Sequence, residues 1–171
     1  MVELDRLPAF VTIGVYGFDA PHYFAALQAA GVDLFCDIRR RRGVRGAEYA
    51  FANSKRLQTQ LASMSIRYLH RPDLAPSLAL RKRQTEVDAA GHVAKRKRTH
   101  LSAAFIAGYN TECLDGFDSA AFVASLGAAH VVALFCVERE PEACHRSLLA
   151  ARLQEDLGVA VTHLTPAEQP R

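Results

Sequence analysis

Apolar residues follow two rhythms along this chain, short unbroken runs and stripes at helical spacing, and the two alternate nearly to its end. Val11-Thr12-Ile13-Gly14-Val15-Tyr16 is a β-branched run closed by Gly17, the pattern of a strand buried on both faces. Asp19 can cap the next segment, Pro21 suits a first helical turn, and Phe24 and Leu27 form an apolar stripe ending at Gly31. Residues 32–38 predict a second strand, and Leu57, Leu61 and Met64 a second helix capped by Asn53 or Ser54. A third short strand follows at 66–70. Leu101, Phe105 and Tyr109 share one helix face, and Asp118 can cap a helix carrying Phe122 and Leu126 to a stop at Gly127. Residues 131–137 carry the strongest strand signal, a helix is predicted from about Pro141 to Leu157 with Gly158 as its stop, and residues 159–164 supply a last strand.

This alternation predicts an α/β fold: a single open, mainly parallel β-sheet flanked by helices, a Rossmann-like three-layer sandwich. The 171 residues suffice for a single α/β domain, with its core at about 11–164 and a loosely held polar tail at about 165–171. Between residues 71 and 100 the periodicity fades, Pro72 and Pro76 interrupt it and cations accumulate, so a long loop or an irregular, basic helical insertion is expected there. The start lacks the apolar segment of a signal peptide, and no run approaches the ~18 apolar residues of a membrane span, so neither export nor anchoring is expected. Four cysteines without CxxC pairing fit a reducing compartment, and a cytoplasmic protein is expected.

Net charge is only +3, but the cations are grouped. Arg39, Arg40, Arg41, Arg42 and Arg45 form one cluster, and Arg81, Lys82, Arg83, Lys95, Arg96, Lys97 and Arg98 form another. Such groups either coat a solvated face or attract phosphate, which makes a nucleotide or nucleic acid the expected partner class. Arg41, Arg42, Lys95, Arg96, Lys97 and Arg98 are the candidate nucleic-acid contacts, although no aromatics are interleaved with the second tract, as stacking on single strands would need.

The densest chemistry lies where the strand at 131–137 runs into its helix, a stretch holding Cys136, Glu138, Arg139, Glu140, Glu142, Cys144, His145 and Arg146. Ligands of open α/β sheets bind beyond the carboxyl ends of the strands, and the loops at 14–17, 37–45 and 138–146 map to that edge. Arg146 shares a helix face with Ala150, Leu153 and Leu157, so it projects from the core-facing stripe near the helix start. A cation there opposes the helix dipole by roughly 0.3–1 kcal/mol and calls for a negative partner. Glu138, Glu142 or Asp37 could supply it, and so could a phosphate or carboxylate ligand that also meets free backbone N–H groups.

Cys144, beside His145 and Arg146, has surroundings that favour thiolate, but cysteine is also a small buried apolar residue. For Cys136, within the strand, packing is the stronger reading. Neither cysteine opens the phosphate loop of cysteine phosphatases. Cys136, Cys144 and His145 are soft metal ligands, yet adjacent residues need not point together and no paired CxxC completes a tetrahedral site, so no metal and no cofactor is expected. Gly14-Val15-Tyr16-Gly17 lacks the spacing of a dinucleotide fingerprint and reads as a tight turn.

Thr12-Ile13-Gly14, Asp37-Ile38-Arg39 with Arg45 and Tyr49, Ile66-Arg67-Tyr68, and above all Cys136-Val137-Glu138 followed after five residues by Cys144-His145-Arg146 resemble one family, called domain of unknown function 488, over about residues 11–164. The resemblance implies a compact α/β domain with a shared polar site and names no reaction. Of the family's D-V-R-x-x-P-x-S-R-x-x-x-F loop, Asp37, Arg39 and Arg45 match and Ile38 and Tyr49 are conservative replacements, while Arg42 and Val44 stand at the proline and serine positions. The glycine-rich turn that often follows the third strand is missing from residues 69–77, so the resemblance does not imply a ligand shared with other members.

The leading expectation is a phosphate-oriented site for a nucleotide or nucleic acid, built from Asp37, Arg39, Arg45, Glu138, Cys144, His145 and Arg146. If it is catalytic, Arg39, Arg45 and Arg146 hold phosphate, Glu138 or His145 moves protons, and Cys144 is nucleophile or packing. Whether there is turnover stays open. The alternatives are a noncatalytic nucleic-acid-binding module that uses the basic clusters, and a protein-interaction adaptor that uses residues 71–100 as its contact surface.

Overall fold

The computed structural model describes residues 6–167, so the first five residues and the tail from residue 168 lie outside the described residues, and with them most of the expected loose tail. Strands β1 (Ala9–Ile13), β2 (Leu34–Asp37), β3 (Arg67–His70), β4 (Val131–Phe135) and β5 (Val161–Leu164) form one sheet in the order β3-β2-β4-β1-β5. Every neighbouring pair is parallel. Around it lie α1 (Ala20–Ala29), α2 (Ser54–Ser63), α3 (Leu78–Ala90), α4 (Ala103–Tyr109), α5 (Ser119–Ser125) and α6 (His145–Leu157).

Alternation along each strand sends side chains to two cores. Phe10, Leu34, Cys36, Val132 and Leu134 pack against Leu80, Phe105, Tyr109, Phe122, Leu149 and Leu153 from α3 to α6. Val11, Ile13, Phe35, Ala133 and Phe135 pack against Tyr23, Leu27, Leu57 and Leu61 from α1 and α2. With both faces covered, the central strands read as unbroken apolar runs, and the result is the expected three-layer α/β sandwich. Among the described residues no helix is long and apolar enough to cross a membrane.

Two expectations need correction. Of the two readings of residues 71–100 the helical one holds, but part of the segment is a regular helix: α3 occupies thirteen residues, capped by Ser77, whose hydroxyl accepts from Leu80 N at 3.1 Å. Its buried face is Leu80, Gln84 and Asp88. Two of those three are polar, so a hydrophobic stripe is invisible in the sequence although the spacing is helical. They are satisfied internally: Gln84 Nε2 donates to Asp88 Oδ1 at 2.8 Å, and Gln84 Oε1 accepts from Ser102 N at 2.9 Å. The last long helix starts at His145, not Pro141. Pro141–Ala143 is a single tight turn and Cys144 is extended, at φ −139° and ψ 144°. The carbonyls of Glu142 and Ala143, which a continuous helix would need as acceptors, are taken by Leu101 N and by the Arg98 guanidinium.

The register places the site. Ile13 and Asp37 both sit opposite Phe135, so the central strands β1, β4 and β2 end at one level and the loops that follow them start side by side. Gly14 lies at the junction of two of these loops, and a Cβ there would overlap the carbonyl of Glu138. Gly14→Ala is therefore expected to cost about 1–3 kcal/mol in chemical denaturation; an unchanged midpoint would show that the two loops can separate without cost.

Candidate functional site

The loop after β2 is anchored by a buried ion pair. Asp37 is fully buried and Arg39 nearly so, and the guanidinium meets the carboxylate with two bonds, Nε to Oδ1 at 2.9 Å and Nη2 to Oδ2 at 2.8 Å. Asp37 also accepts from Arg39 N and from the Tyr68 hydroxyl, the latter at 2.7 Å. Burial and that carboxylate together push the Tyr68 phenol up to about 12. Arg39 Nη1 donates to Ala52 O at 3.1 Å, and its guanidinium lies 4.4 Å over the Phe135 ring. The planar fork thus joins β2, the turn before α2 and β4.

Arg146 is buried completely, on the opposite face of β1. Its Nη1 donates to Glu138 O at 2.6 Å, Nη2 to Arg139 O at 3.1 Å and Nε to the Thr12 hydroxyl at 3.3 Å. The partners are two carbonyls and a hydroxyl, not one of the three carboxylates named from the sequence. Thr12 in turn meets His163 Nδ1 at 2.7 Å, which brings β5 into the same network.

Glu138 is buried to 6% exposure and faces cations from the segment after α3. Its Oε1 lies 3.1 Å from Arg98 Nη2 and 3.7 Å from Lys95 Nζ, and its Oε2 accepts from the Cys136 thiol at 3.5 Å. Burial, then the charge of Cys144, raise the Glu138 carboxyl, and Lys95, Arg98 and His145 oppose them. Arg98 also pairs with Asp88 Oδ2 at 2.8 Å and donates to Ala143 O at 3.0 Å. One arginine therefore holds α3, the loop after β4 and the entry to α6.

Beneath Glu138 lie Cys136, Cys144 and His145, all buried, with one donor atom from each lying within 4.8 Å of the others. Cys144 Sγ is 3.9 Å from His145 Nδ1, and His145 Nε2 lies 3.1 Å from Ile38 O. A carbonyl can only accept, so Nε2 carries a proton and Nδ1 is the nitrogen that faces the thiol. Burial works against a Cys144 thiolate, but the Cys136 thiol and the charges of His145 and Arg146 outweigh it and bring its pKa well below the usual range. Cys136 moves the other way, raised first by its bond to Cys144 and then by burial. His145 is raised, with the charge of Cys144 overcoming burial.

The sequence-named residues thus divide. Asp37, Arg39, Glu138, Cys144, His145 and Arg146 do gather at the carboxyl edge, but the guanidiniums of Arg39 and Arg146 are engaged by the protein. Arg45 is exposed and its carbonyl accepts from Arg96 Nη2 at 2.8 Å. Arg96 also pairs with Glu48 and lies 5.2 Å from the rings of both Tyr16 and Tyr49. The basic tract that lacks aromatics in sequence acquires them from two other loops. Arg41 and Lys97 are exposed, Arg42 is half-buried, and Arg98 is internal to the site. Sequence reasoning missed Thr12, Tyr68 and Asp88, and read Cys136 as packing. The available signal is a polar residue within an apolar strand, Thr12, and a thiol at the end of another, Cys136.

Comparison with known proteins adds one finding. A family model described as "Domain of unknown function DUF488" matches residues 20–153. No curated protein and no solved structure matches this chain.

Arg146→Met would leave the carbonyls of Glu138 and Arg139 without their charged donor, and a loss of about 3 kcal/mol is expected in denaturant melts. Unchanged stability with lost phosphate affinity would instead return Arg146 to a ligand-binding role.

Proposed function

The chain belongs to the family described as domain of unknown function DUF488, and from that premise we propose that it binds a phosphate-bearing substrate, a nucleotide or nucleic acid, at the carboxyl edge of its sheet. The observation that carries this reading is a rim of cations around one buried polar cluster, at the ends of three adjacent strands. Lys95 is about half exposed and 3.7 Å from Glu138, Arg139 is partly exposed beside Gly17, and Arg96 and the exposed Arg45 are joined across the mouth. Open α/β sheets take ligands at this edge, and grouped cations concentrate phosphate there. Arg39 and Arg146 serve the same site indirectly, by holding the loops that carry the rim.

Turnover, in this reading, uses Glu138 for proton transfer, since its carboxylate lies at the base of the rim and is oriented by Arg98. Arg96, held 5.2 Å from both rings of the edge-to-face pair Tyr16 and Tyr49, favours a nucleotide over inorganic phosphate, because a base has a face to offer its guanidinium.

Nucleoside mono-, di- and triphosphates and fluorescent single- and double-stranded oligonucleotides are the probes, titrated at low and high salt. Affinity is expected to fall roughly linearly on a log–log plot against salt and to drop at least tenfold in Lys95→Glu and Arg45→Glu. Salt-independent binding, or binding indifferent to both reversals, would overturn the proposal. Glu138→Gln is expected to keep binding and lower turnover by about 10²–10⁴-fold; unchanged turnover removes Glu138 from that role.

A further inference from the structure

Two thiols and an imidazole buried together need an explanation of their own, whatever binds at the rim. Cys136 follows directly on β4, and Cys144 and His145 open α6, so the donors come from the two ends of one clamped loop. Arg146 fixes the start of that loop at the carbonyls of Glu138 and Arg139, and Arg98 fixes its end at Ala143. The loop that carries the donors is therefore clamped at both ends by arginines that are not among them.

Their geometry suits a tetrahedral ion. Zn–S bonds of ~2.3 Å and Zn–N bonds of ~2.0 Å put neighbouring donors ~3.5–3.8 Å apart. Here Cys144 Sγ and His145 Nδ1 are 3.9 Å apart, and all three donors lie within 4.8 Å of one another, so modest rotations of the thiols would close the set. His145 has the orientation of a metal-ligating imidazole: its Nε2–H is spent on the Ile38 carbonyl, which leaves Nδ1 facing the sulfurs. Charge also balances, since two thiolates and a neutral imidazole around a divalent ion sum to zero in a buried place where a net charge would be costly.

We propose that Cys136, Cys144 and His145 bind a zinc ion through both sulfurs and Nδ1, with the fourth position left to a non-protein ligand. Thiol protons leave to solvent as the sulfurs coordinate. Glu138, 3.5 Å from Cys136 Sγ, stays paired with Lys95 and Arg98 beside the ion. Three protein ligands and one open position are the arrangement of a catalytic rather than a structural zinc site. The inference goes beyond phosphate recognition and does not require it.

The test uses the whole chain, reduced and stripped with a chelator, then titrated with Co²⁺ and with Zn²⁺ in separate runs. One equivalent of Co²⁺ per chain is expected to produce sulfur-to-cobalt charge-transfer absorption and visible bands of tetrahedral intensity, and Zn²⁺ to bleach both. Cys136→Ser and Cys144→Ser are expected to lose the charge-transfer band and the one-to-one stoichiometry, whereas Cys113→Ser keeps them. The spectrum of the unaltered chain reports sulfur ligation even if a variant fails to fold. No charge-transfer band in the reduced unaltered chain, or a band that survives both serine changes, would overturn the proposal. Metal binding without any phosphate affinity leaves this inference standing and sinks the preceding one; phosphate affinity without metal does the reverse.

Discussion

The path of the loop after β4 depends on Arg146 being fully buried and bonded to main-chain carbonyls. An unpaired guanidinium could not stay there, and its desolvation is offset only if several acceptors converge on it. The backbone of Glu138 and Arg139 bends to supply two of them and Thr12 supplies a third. That requirement sets the path of the loop after β4, and Gly14 is needed because the loop's carbonyl then passes where a side chain would be. The two cysteines stand at either end of that loop, whose far end Arg98 holds at Ala143.

Arg39 and Arg98 repeat the device with carboxylates. Arg39 straps the loop after β2 to Asp37 and Ala52, and Arg98 straps the long connection before α4 to Asp88, Glu138 and Ala143. Arginine suits this work better than lysine because its planar fork reaches several acceptors in fixed directions. Three arginines that look from composition like phosphate ligands therefore organise the site from inside. Lys95, Arg96 and Arg45 stay exposed at the same edge.

The positions of the five strands and of most helices were legible because the two faces of the sheet are both buried, so strand, helix and turn signals agree along the chain. Asp19 and Asp118 cap their helices as their positions suggest, and Gly158 ends α6 in the left-handed conformation at φ +66°. The exception is α3, whose core-facing stripe includes Gln84 and Asp88. A hydrophobic pattern cannot register a face that is stabilised by hydrogen bonds and an ion pair with residues ten or more positions away. The same limit explains the start of α6: Pro141 favours a helical turn locally, but acceptors claimed by Leu101 and Arg98 force Cys144 into an extended conformation.

By itself the sequence determined the α/β class, the approximate elements and the three loops that hold the chemistry, because these follow from periodicity and residue type within short windows. Tertiary structure alone decided that β4 lies between β1 and β2, so that those loops meet. It also decided which cations are spent internally, and that Cys136, Cys144 and His145 converge. Pairing partners in a parallel sheet and acceptors for a buried guanidinium are chosen by distance in space, which no local pattern along the chain encodes.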